Sequence, residues 1–234
     1  MGKSNSSMLL FKLVIYSTIS FVIMGGLLFL PAGTLNWWRA WVFIGVLAAG
    51  SAISVVRLFP EHKDLIEERM KPPIQKGQPL ADKIIVLLLL LFFYGMLAFI
   101  PFDVFRLHLL GEPGPLVSFS GLFLLAAGWR IIYLALRENA FAALVVKLQE
   151  ERRQIVIDSG VYGVVRHPMY AGAILFFLGI PLWLESYAAA VLALASIFLL
   201  MLRIPIEEKY LRRELTGYDA YTKRIRYRMI PHVW

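Results

Sequence analysis

Three short stretches in the C-terminal part of the chain carry residue types that can bind a charged ligand. In the first, Arg166 and His167 directly precede Pro168. Proline is favoured at the first position of a helix, so we predict that a helix begins there. The free N–H groups and the positive dipole end of a helix start attract anions. This stretch therefore predicts an anion site, with Tyr170 and Gly172 in the first turn, where a small residue lets a ligand approach. The alternative is a boundary arginine, a capping histidine and an interfacial tyrosine.

The second stretch follows the last apolar run and contains Arg203, Glu207 and Glu208. Arg203 and Glu207 are four residues apart, as are Glu208 and Arg212, so each pair would share one face of a helix. Two interfacial salt bridges, worth about 0.3–0.5 kcal/mol each, explain this spacing. A carboxylate aimed at a cationic ligand also explains it, and both interpretations stay open at this point.

The third stretch is the basic C-terminal segment. Leu211, Leu215 and Tyr218 lie at positions i, i+4 and i+7, which is the spacing of an apolar stripe on a helix. A basic helix of this kind is expected to lie along the membrane surface. With Tyr221 nearby, the segment either anchors the chain to the membrane or closes a ligand pocket.

The elements that position these residues are predicted to be membrane helices. Of the 234 residues, 59% are hydrophobic and only 17% are charged, whereas a soluble domain carries about 25% charged residues. This composition excludes an ordinary soluble enzyme, a disordered chain and a fibrous protein. The chain has no cysteine, which excludes disulfides, thiolate metal sites and a cysteine nucleophile.

Six apolar runs predict six membrane helices, because backbone inside lipid must satisfy its own hydrogen bonds. They cover roughly residues 8–30, 38–59, 84–105, 116–136, 169–184 and 187–202. The last two are short and predict a tight helical hairpin that is tilted or spans incompletely, with Gly179 and Pro181 bending its first arm. The predicted fold class is an all-α, polytopic membrane bundle of about six helices with a C-terminal amphipathic cytosolic helix.

The basic residues predict the orientation of the chain. Alternate segments hold 21 Lys and Arg residues against 2 in the segments between them. Basic loops stay cytosolic, so we expect a multi-pass membrane protein with both termini in the cytosol, in the inner membrane of a bacterium or the endoplasmic reticulum of a eukaryote. The net charge of +8 is explained by topology, without nucleic acid as a partner. Arg130 lies inside the fourth span and is expected to pair within the protein. Glu185, at the predicted external turn, is expected to be exposed.

The chain from residue 139 to residue 234 resembles the isoprenylcysteine carboxyl methyltransferase family and its relatives among the phospholipid methyltransferases. The resemblance covers about two-fifths of the chain. Its most specific part is an Arg-His-Pro-x-Tyr-x-Gly string followed by a hairpin and a Glu-Glu pair. The matching residues are Asn139 and Phe141, Ser159 to Tyr162, Arg166 to Gly172, Glu207 and Glu208, Tyr218, Tyr221 and Pro231.

The resemblance implies S-adenosylmethionine as the methyl donor, bound between the final hairpin and the C-terminal segment. Carried over by position, the cofactor-binding residues are Arg166, His167, Tyr170, Gly172 and Glu207, with Tyr218 and Tyr221 closing the site. The chemistry agrees with this implication. The helix start with Arg166 and His167 suits the cofactor's carboxylate, and Glu207 suits its ammonium group. The tyrosine rings suit its sulfonium.

The acceptor is expected to be lipophilic, with a carboxylate favoured over an amine. Arg203, or alternatively Arg130, would hold a carboxylate head by paired hydrogen bonds, and Asn139 would orient it. Eukaryotic members of the family carry a histidine soon after the Asn-Phe element, where this chain has Ala142 to Leu144. We also expect two regions: residues 1–136 as four N-terminal helices and residues 137–234 as the catalytic part.

Three other functions compete with isoprenylcysteine-type carboxyl methylation. A phospholipid N-methyltransferase is the first alternative. The second alternative is an NADPH-dependent sterol reductase, because the segment from Tyr227 to Pro231 resembles the C-terminal ending of that family. The members of that family are, however, considerably longer. A non-enzymatic scaffold or a small transporter is the third, and it would predict charges inside several spans or repeat symmetry.

Overall fold

The protein is a bundle of α-helices throughout the part that the computed structural model describes, residues 3–234, with side chains described from Ser6 onward. The first two residues of the predicted N-terminal region lie outside this range. Within it there is no strand, so the predicted all-α membrane fold is confirmed. The helices are α1 (Lys3–Ala32), α2 (Trp38–Leu58), α3 (Lys63–Arg69), α4 (Leu80–Phe102), α5 (Pro115–Glu138), α6 (Pro168–Trp183), α7 (Tyr187–Glu214) and α8 (Tyr218–Arg224).

Five of these helices, α1, α2, α4, α5 and α7, are long and apolar enough to cross a membrane. The sixth apolar helix, α6, has 16 residues and runs without interruption through Gly179 and Pro181. Helix α7 is longer than its predicted span, because it continues through Pro205 to Glu214. Hydropathy marks the lipid-embedded part of a helix, whereas the charged residues after Arg203 are good helix formers outside it. The loss of hydropathy at Arg203 therefore does not mark the end of the helix.

Glycines allow α5 and α6 to lie in close contact. A methyl group added at Gly128 would come within 2.5 Å of the Gly172 carbonyl oxygen, and one at Gly179 within 2.5 Å of the Leu125 nitrogen. Small residues are what lets membrane helices approach this closely. Gly172 therefore serves helix packing, with Gly128 and Ile132 against it, which corrects the expectation that it leaves room for a ligand.

A second contact joins α2, α5 and the α6–α7 turn at one end of the bundle. Arg39 is buried, forms an ion pair with Glu185 at 2.8 Å and donates to the Ser118 hydroxyl at 2.5 Å. The Trp183 indole N–H donates to the Arg39 carbonyl at 2.9 Å. Glu185 was expected to be exposed, and this expectation is wrong, because the buried arginine draws the carboxylate inward.

The opposite end of the bundle, which we call the connector end, carries α3, residues 139–167 and α8. The connector between α5 and α6 has two 3₁₀ turns, Glu150–Arg152 and Gly160–Gly163, and otherwise no regular structure. Helix α4 packs along α7, and α5 packs along α6. These pairs fix the ends of α6 and α7 against the connector, where the predicted site residues lie.

Candidate active site

A cavity opens at the connector end, between α6, α7, the connector and α8. It encloses about 820 Å³ of space not filled by protein atoms, including the part open to solvent. Eight of the ten residues predicted for the site line it: Asn139, Arg166, His167, Tyr170, Arg203, Glu207, Tyr218 and Tyr221.

The two remaining predicted residues lie elsewhere. Gly172 is in the α5–α6 contact. Arg130 is exposed, and its guanidinium lies over the Tyr133 ring at 5.3 Å from the ring centre. The expected pairing of Arg130 inside the protein is not found among the described residues. Its long side chain instead extends along an aromatic ring at the helix surface, as interfacial arginines do.

The entry to α6 is held by the C-terminal segment. Helix α6 begins at Pro168, as predicted from the preference of proline for this position. The backbone N–H groups of Arg166 and His167 donate to the carbonyls of Tyr227 and Arg228, at 2.9 and 2.7 Å. The residues before the helix are therefore paired with backbone far along the chain, which fixes the direction of both side chains.

Glu208 is the centre of a buried charged cluster. Its Oε1 accepts from Arg166 Nε at 2.8 Å and lies 3.2 Å from His167 Nε2, while Arg228 lies 3.3 Å from its Oε2. The expected Glu208–Arg212 pair is not formed, because Arg212 is exposed and pairs with Asp219 at 2.7 Å. A buried carboxylate needs buried donors, and Arg166 supplies them.

Every guanidinium nitrogen of Arg166 already makes a bond within the chain. Its Nη2 also bonds to Glu208, at 2.7 Å, and its Nη1 donates to the carbonyls of Ile225 and Arg226, both at 2.7 Å. Although Arg166 lines the cavity, its bonds hold the C-terminal segment against α6 and α7.

Glu207 lies in a different environment from its neighbour. It is half-buried and lines the cavity, where the Tyr170 hydroxyl donates to it. No basic side chain forms an ion pair with it in residues 6–234. The Tyr170 ring in turn stacks on the His167 ring, with 5.4 Å between centres and 3° between planes. The cavity therefore contains one carboxylate that is available to a cation.

Arg203 pairs with Asp82, a residue that the sequence analysis did not single out. Asp82 is fully buried in the first turn of α4 and accepts from Arg203 Nε at 2.7 Å. It also accepts from Gln78 Nε2 at 2.7 Å and from the Val146 backbone at 2.9 Å. Arg203 Nη2 donates to the Leu144 carbonyl at 2.7 Å. A lone acidic residue at the start of a long apolar run was the signal that could have identified it.

Tyrosines close the cavity on the side of α8. The Tyr218 and Tyr221 rings are 5.7 Å apart, and the Tyr221 hydroxyl donates to the Tyr162 carbonyl at 2.9 Å. Tyr162, which also lines the cavity, interacts through its hydroxyl with Asn139. Burial raises the pKa of Tyr162, Tyr218 and Tyr221 above the ordinary value. All three are therefore neutral phenols at physiological pH.

Helix α8 lies over the connector because the chain turns at Gly217. Its φ of +88° is a left-handed conformation that favours glycine. The predicted stripe of Leu211, Leu215 and Tyr218 thus does not form one continuous helix. Its members instead form an apolar cluster with Leu148 and Val156 of the connector.

Comparison with known proteins gives a family match for a part of the chain that is somewhat shorter than half of it. Residues 116–216, from the start of α5 to just beyond α7, match the phospholipid methyltransferase family model. The resemblance to the membrane methyltransferases is confirmed. No curated protein matches the chain. The matched residues 116–216, which we call the methyltransferase segment, include Glu207, Glu208 and residues 139–170. Asp82 and the two α8 tyrosines lie outside it.

Proposed function

We propose that this membrane methyltransferase transfers a methyl group from S-adenosylmethionine to a lipophilic acceptor at the cytosolic membrane interface, with a carboxylate as the favoured nucleophile. The observation that carries this proposal is the unpaired Glu207 carboxylate, which faces the cavity beside a set of neutral tyrosines. A ligand with an amino group and a sulfonium cation suits this arrangement.

The residues present fit the cofactor. When bound, S-adenosylmethionine supplies an electrophilic methyl group on a sulfonium. Glu207 would bind its ammonium group, and the faces of Tyr218 and Tyr221 would attract the sulfonium. Val156 and Leu215 in the cavity wall offer an apolar surface for adenine. Because each guanidinium nitrogen of Arg166 already bonds within the chain, the cofactor's carboxylate would bind the Tyr218 hydroxyl, which donates to no acceptor in the described part of the chain.

The chain's contribution to the reaction is positioning and exclusion of water. A carboxylate nucleophile needs no strong base, so holding it in line with the methyl group can supply most of the rate enhancement. Arg203 would hold the acceptor's carboxylate and Asn139 would orient it. Arg203 is kept in one orientation by Asp82, which removes much of the cost of ordering its side chain.

The charge bias supports a cytosolic connector end. The basic residues of α3, the connector and α8 belong to the 21 that are predicted to remain in the cytosol. S-adenosylmethionine is made there, so a translocated C-terminus would contradict the proposal. Reporter fusions at Asn5 and after Trp234 are expected to give cytosolic signals.

A phospholipid N-methyltransferase is the second candidate, and the family match favours it. The two candidates share the cofactor and the membrane setting, and they differ in the nucleophile. For amine methylation the head group must lose a proton before or during transfer, whereas a carboxylate reacts as it is.

The test is cofactor binding followed by an acceptor screen with the purified full-length chain in detergent. We expect S-adenosylhomocysteine to bind and NADPH not to bind. With labelled S-adenosylmethionine, prenylcysteine analogues, fatty acids and phosphatidylethanolamine are offered in turn. A base-labile volatile product identifies an ester and a stable product identifies an amine. Binding of NADPH alone, or methylation only of acceptors without tails, would contradict the proposal.

A further inference from the structure

Arg69, the last residue of α3, lies near the cavity and makes no ion pair with any residue from 6 to 234. It is half-buried, and its Nη1 donates to the Ala142 carbonyl at 3.0 Å and lies 3.8 Å from the Met169 sulfur. No carboxylate within residues 6–234 forms an ion pair with it. A charge that is partly removed from water is stabilised by an anionic partner, and a guanidinium keeps its charge in proteins. The side chain can therefore bind an anion that the chain itself does not supply.

The two arginines that line the cavity each have a carboxylate partner, whereas Arg69 does not. Asp82 compensates Arg203, and Glu208 compensates Arg166. The remaining carboxylate, Glu207, makes no ion pair with Arg69. Arg69 Nη1 and Arg203 Nη2 donate to the carbonyls of Ala142 and Leu144, at 3.0 and 2.7 Å. These carbonyls belong to one short stretch of the connector, so both guanidinium groups lie where they can bind one anion.

Arg69 lies between the cavity and a lipid-facing helix. Its contacts Ala142 and Met169 both line the cavity. Helix α3, which carries Arg69, packs on α1: Lys63 Nζ donates to the Ser6 hydroxyl at 2.8 Å, and Ile66 lies in one apolar cluster with Leu9. Only 11% of the residues in the most apolar stretch of α1 are buried in the protein, so this helix presents its surface to lipid. An amphiphile whose tail lies beside α1 would bring its head group to Arg69.

We propose that Arg69, together with the free Nη1 of Arg203, binds anionic oxygen atoms in the head group of the acceptor. This inference rests on the proposed function and adds a residue that determines specificity for an acceptor head group carrying a carboxylate or a phosphate. The planar guanidinium fork matches both groups. Arg69 lies outside the methyltransferase segment, so the N-terminal helices supply this part of acceptor recognition.

The test measures binding of single-chain amphiphiles that cannot react. Dodecyl phosphate, dodecanoate and dodecyltrimethylammonium are titrated into the full-length protein in neutral detergent, and S-adenosylhomocysteine is titrated in parallel. We expect both anions to bind and the cation not to bind. Arg69→Gln is expected to weaken the binding of both anions by about tenfold or more, because a hydrogen bond to a charged group is lost. Its affinity for S-adenosylhomocysteine should not change. Tighter binding of dodecanoate would indicate an acceptor with a carboxylate head group, and tighter binding of dodecyl phosphate would indicate one with a phosphate.

The controls distinguish this inference from the proposed function. Arg57→Gln removes an exposed arginine from the same end of the bundle and should change nothing. Arg69→Lys keeps the positive charge and removes the paired N–H donors of the guanidinium, so an intermediate affinity for the anions is expected. This variant replaces Arg69→Gln in the test if Arg69→Gln does not fold. Unchanged anion binding in both Arg69 variants would overturn the inference, as would loss of S-adenosylhomocysteine binding with anion binding intact. Wild-type protein that binds dodecyl phosphate but not S-adenosylhomocysteine would reject the methyltransferase function alone.

Discussion

Two adjacent glutamates near the end of α7 have different surroundings because successive residues on a helix point about 100° apart. Glu208 is turned toward Arg166 and His167, where it is bound on several sides. Glu207 is turned toward the cavity, where Tyr170 is its hydrogen-bond donor. One carboxylate therefore holds the structure together and the other is available to a ligand.

Replacing Glu207 is expected to weaken cofactor binding more than it lowers the stability of the fold. Glu207→Gln keeps the size of the side chain and removes its charge, so S-adenosylhomocysteine should bind more weakly by about 1–3 kcal/mol, the value of a hydrogen bond to a charged group. Titration calorimetry measures this loss, and the melting temperature should change little. Normal cofactor affinity in the folded variant would reject the role assigned to Glu207.

Replacing Glu208 is expected to affect the fold. Glu208→Gln leaves Arg166 buried without its counter-charge, and breaking one partner of a buried pair costs about 3–5 kcal/mol. We expect a much lower melting temperature than for Glu207→Gln, together with faster proteolysis after Ile225. Equal melting temperatures for the two variants would show that the cluster around Glu208 does not hold the C-terminal segment.

At the scale of elements, the helices could be predicted more reliably than their contacts. Hydropathy identified all six apolar helices, because the membrane requires long apolar runs. It missed the last turns of α7, which continue outside the lipid. The glycine pairs 121 and 128, and 172 and 179, are each seven residues apart and so lie on one helix face. That spacing was a signal for the α5–α6 contact, although it does not say which helices meet.

The glycine contact predicts opposite effects for two Gly→Ala substitutions. Alanine stabilises a helix by up to about 1 kcal/mol relative to glycine. At Gly45 in α2 an added methyl group meets nothing within 4 Å, whereas at Gly128 it meets the Gly172 backbone. Gly45→Ala should leave the melting temperature unchanged or raised, and Gly128→Ala should lower it, since overpacking costs about 1–3 kcal/mol. A Gly128→Ala protein as stable as Gly45→Ala would contradict the close approach of α5 and α6.

At the scale of the whole molecule, the site draws on both halves of the chain. A division at residues 136 and 137 stays a prediction. Local spacing suggested that Arg203 pairs with Glu207, four residues away, but its partner is Asp82, 121 residues away. Sequence spacing reports neighbours on one helix, whereas burial selects partners across helices, and a single sequence does not contain that information. The site residues could therefore be named from the sequence, but several of their pairings could not.

The Asp82–Arg203 pair predicts a coupling between the two halves. Asp82→Asn leaves Arg203 buried beside an uncharged amide, so we expect a loss of about 3–5 kcal/mol in unfolding free energy. Asp64→Asn, an exposed change in α3, is the matched control and should leave the unfolding free energy unchanged. Thermal unfolding of Asp82→Asn, Arg203→Gln and the double variant measures the coupling. Additive losses would mean that the two residues do not depend on each other.

Helix α8 has a further consequence, for the kinetics of ligand exchange. It is held on its outer side by two exposed ion pairs, Arg212 with Asp219 and Arg224 with Asp158. Dissolved salt screens exposed charges, while the tightly packed α5–α6 pair is insensitive to it. Rising ionic strength should therefore speed the departure of bound S-adenosylhomocysteine by loosening α8, and stopped-flow dissociation at low and high KCl measures this rate. Asp219→Asn should make departure fast at low salt and less dependent on salt. A wild-type rate that does not vary with KCl would mean that ligands leave by a path that does not open α8.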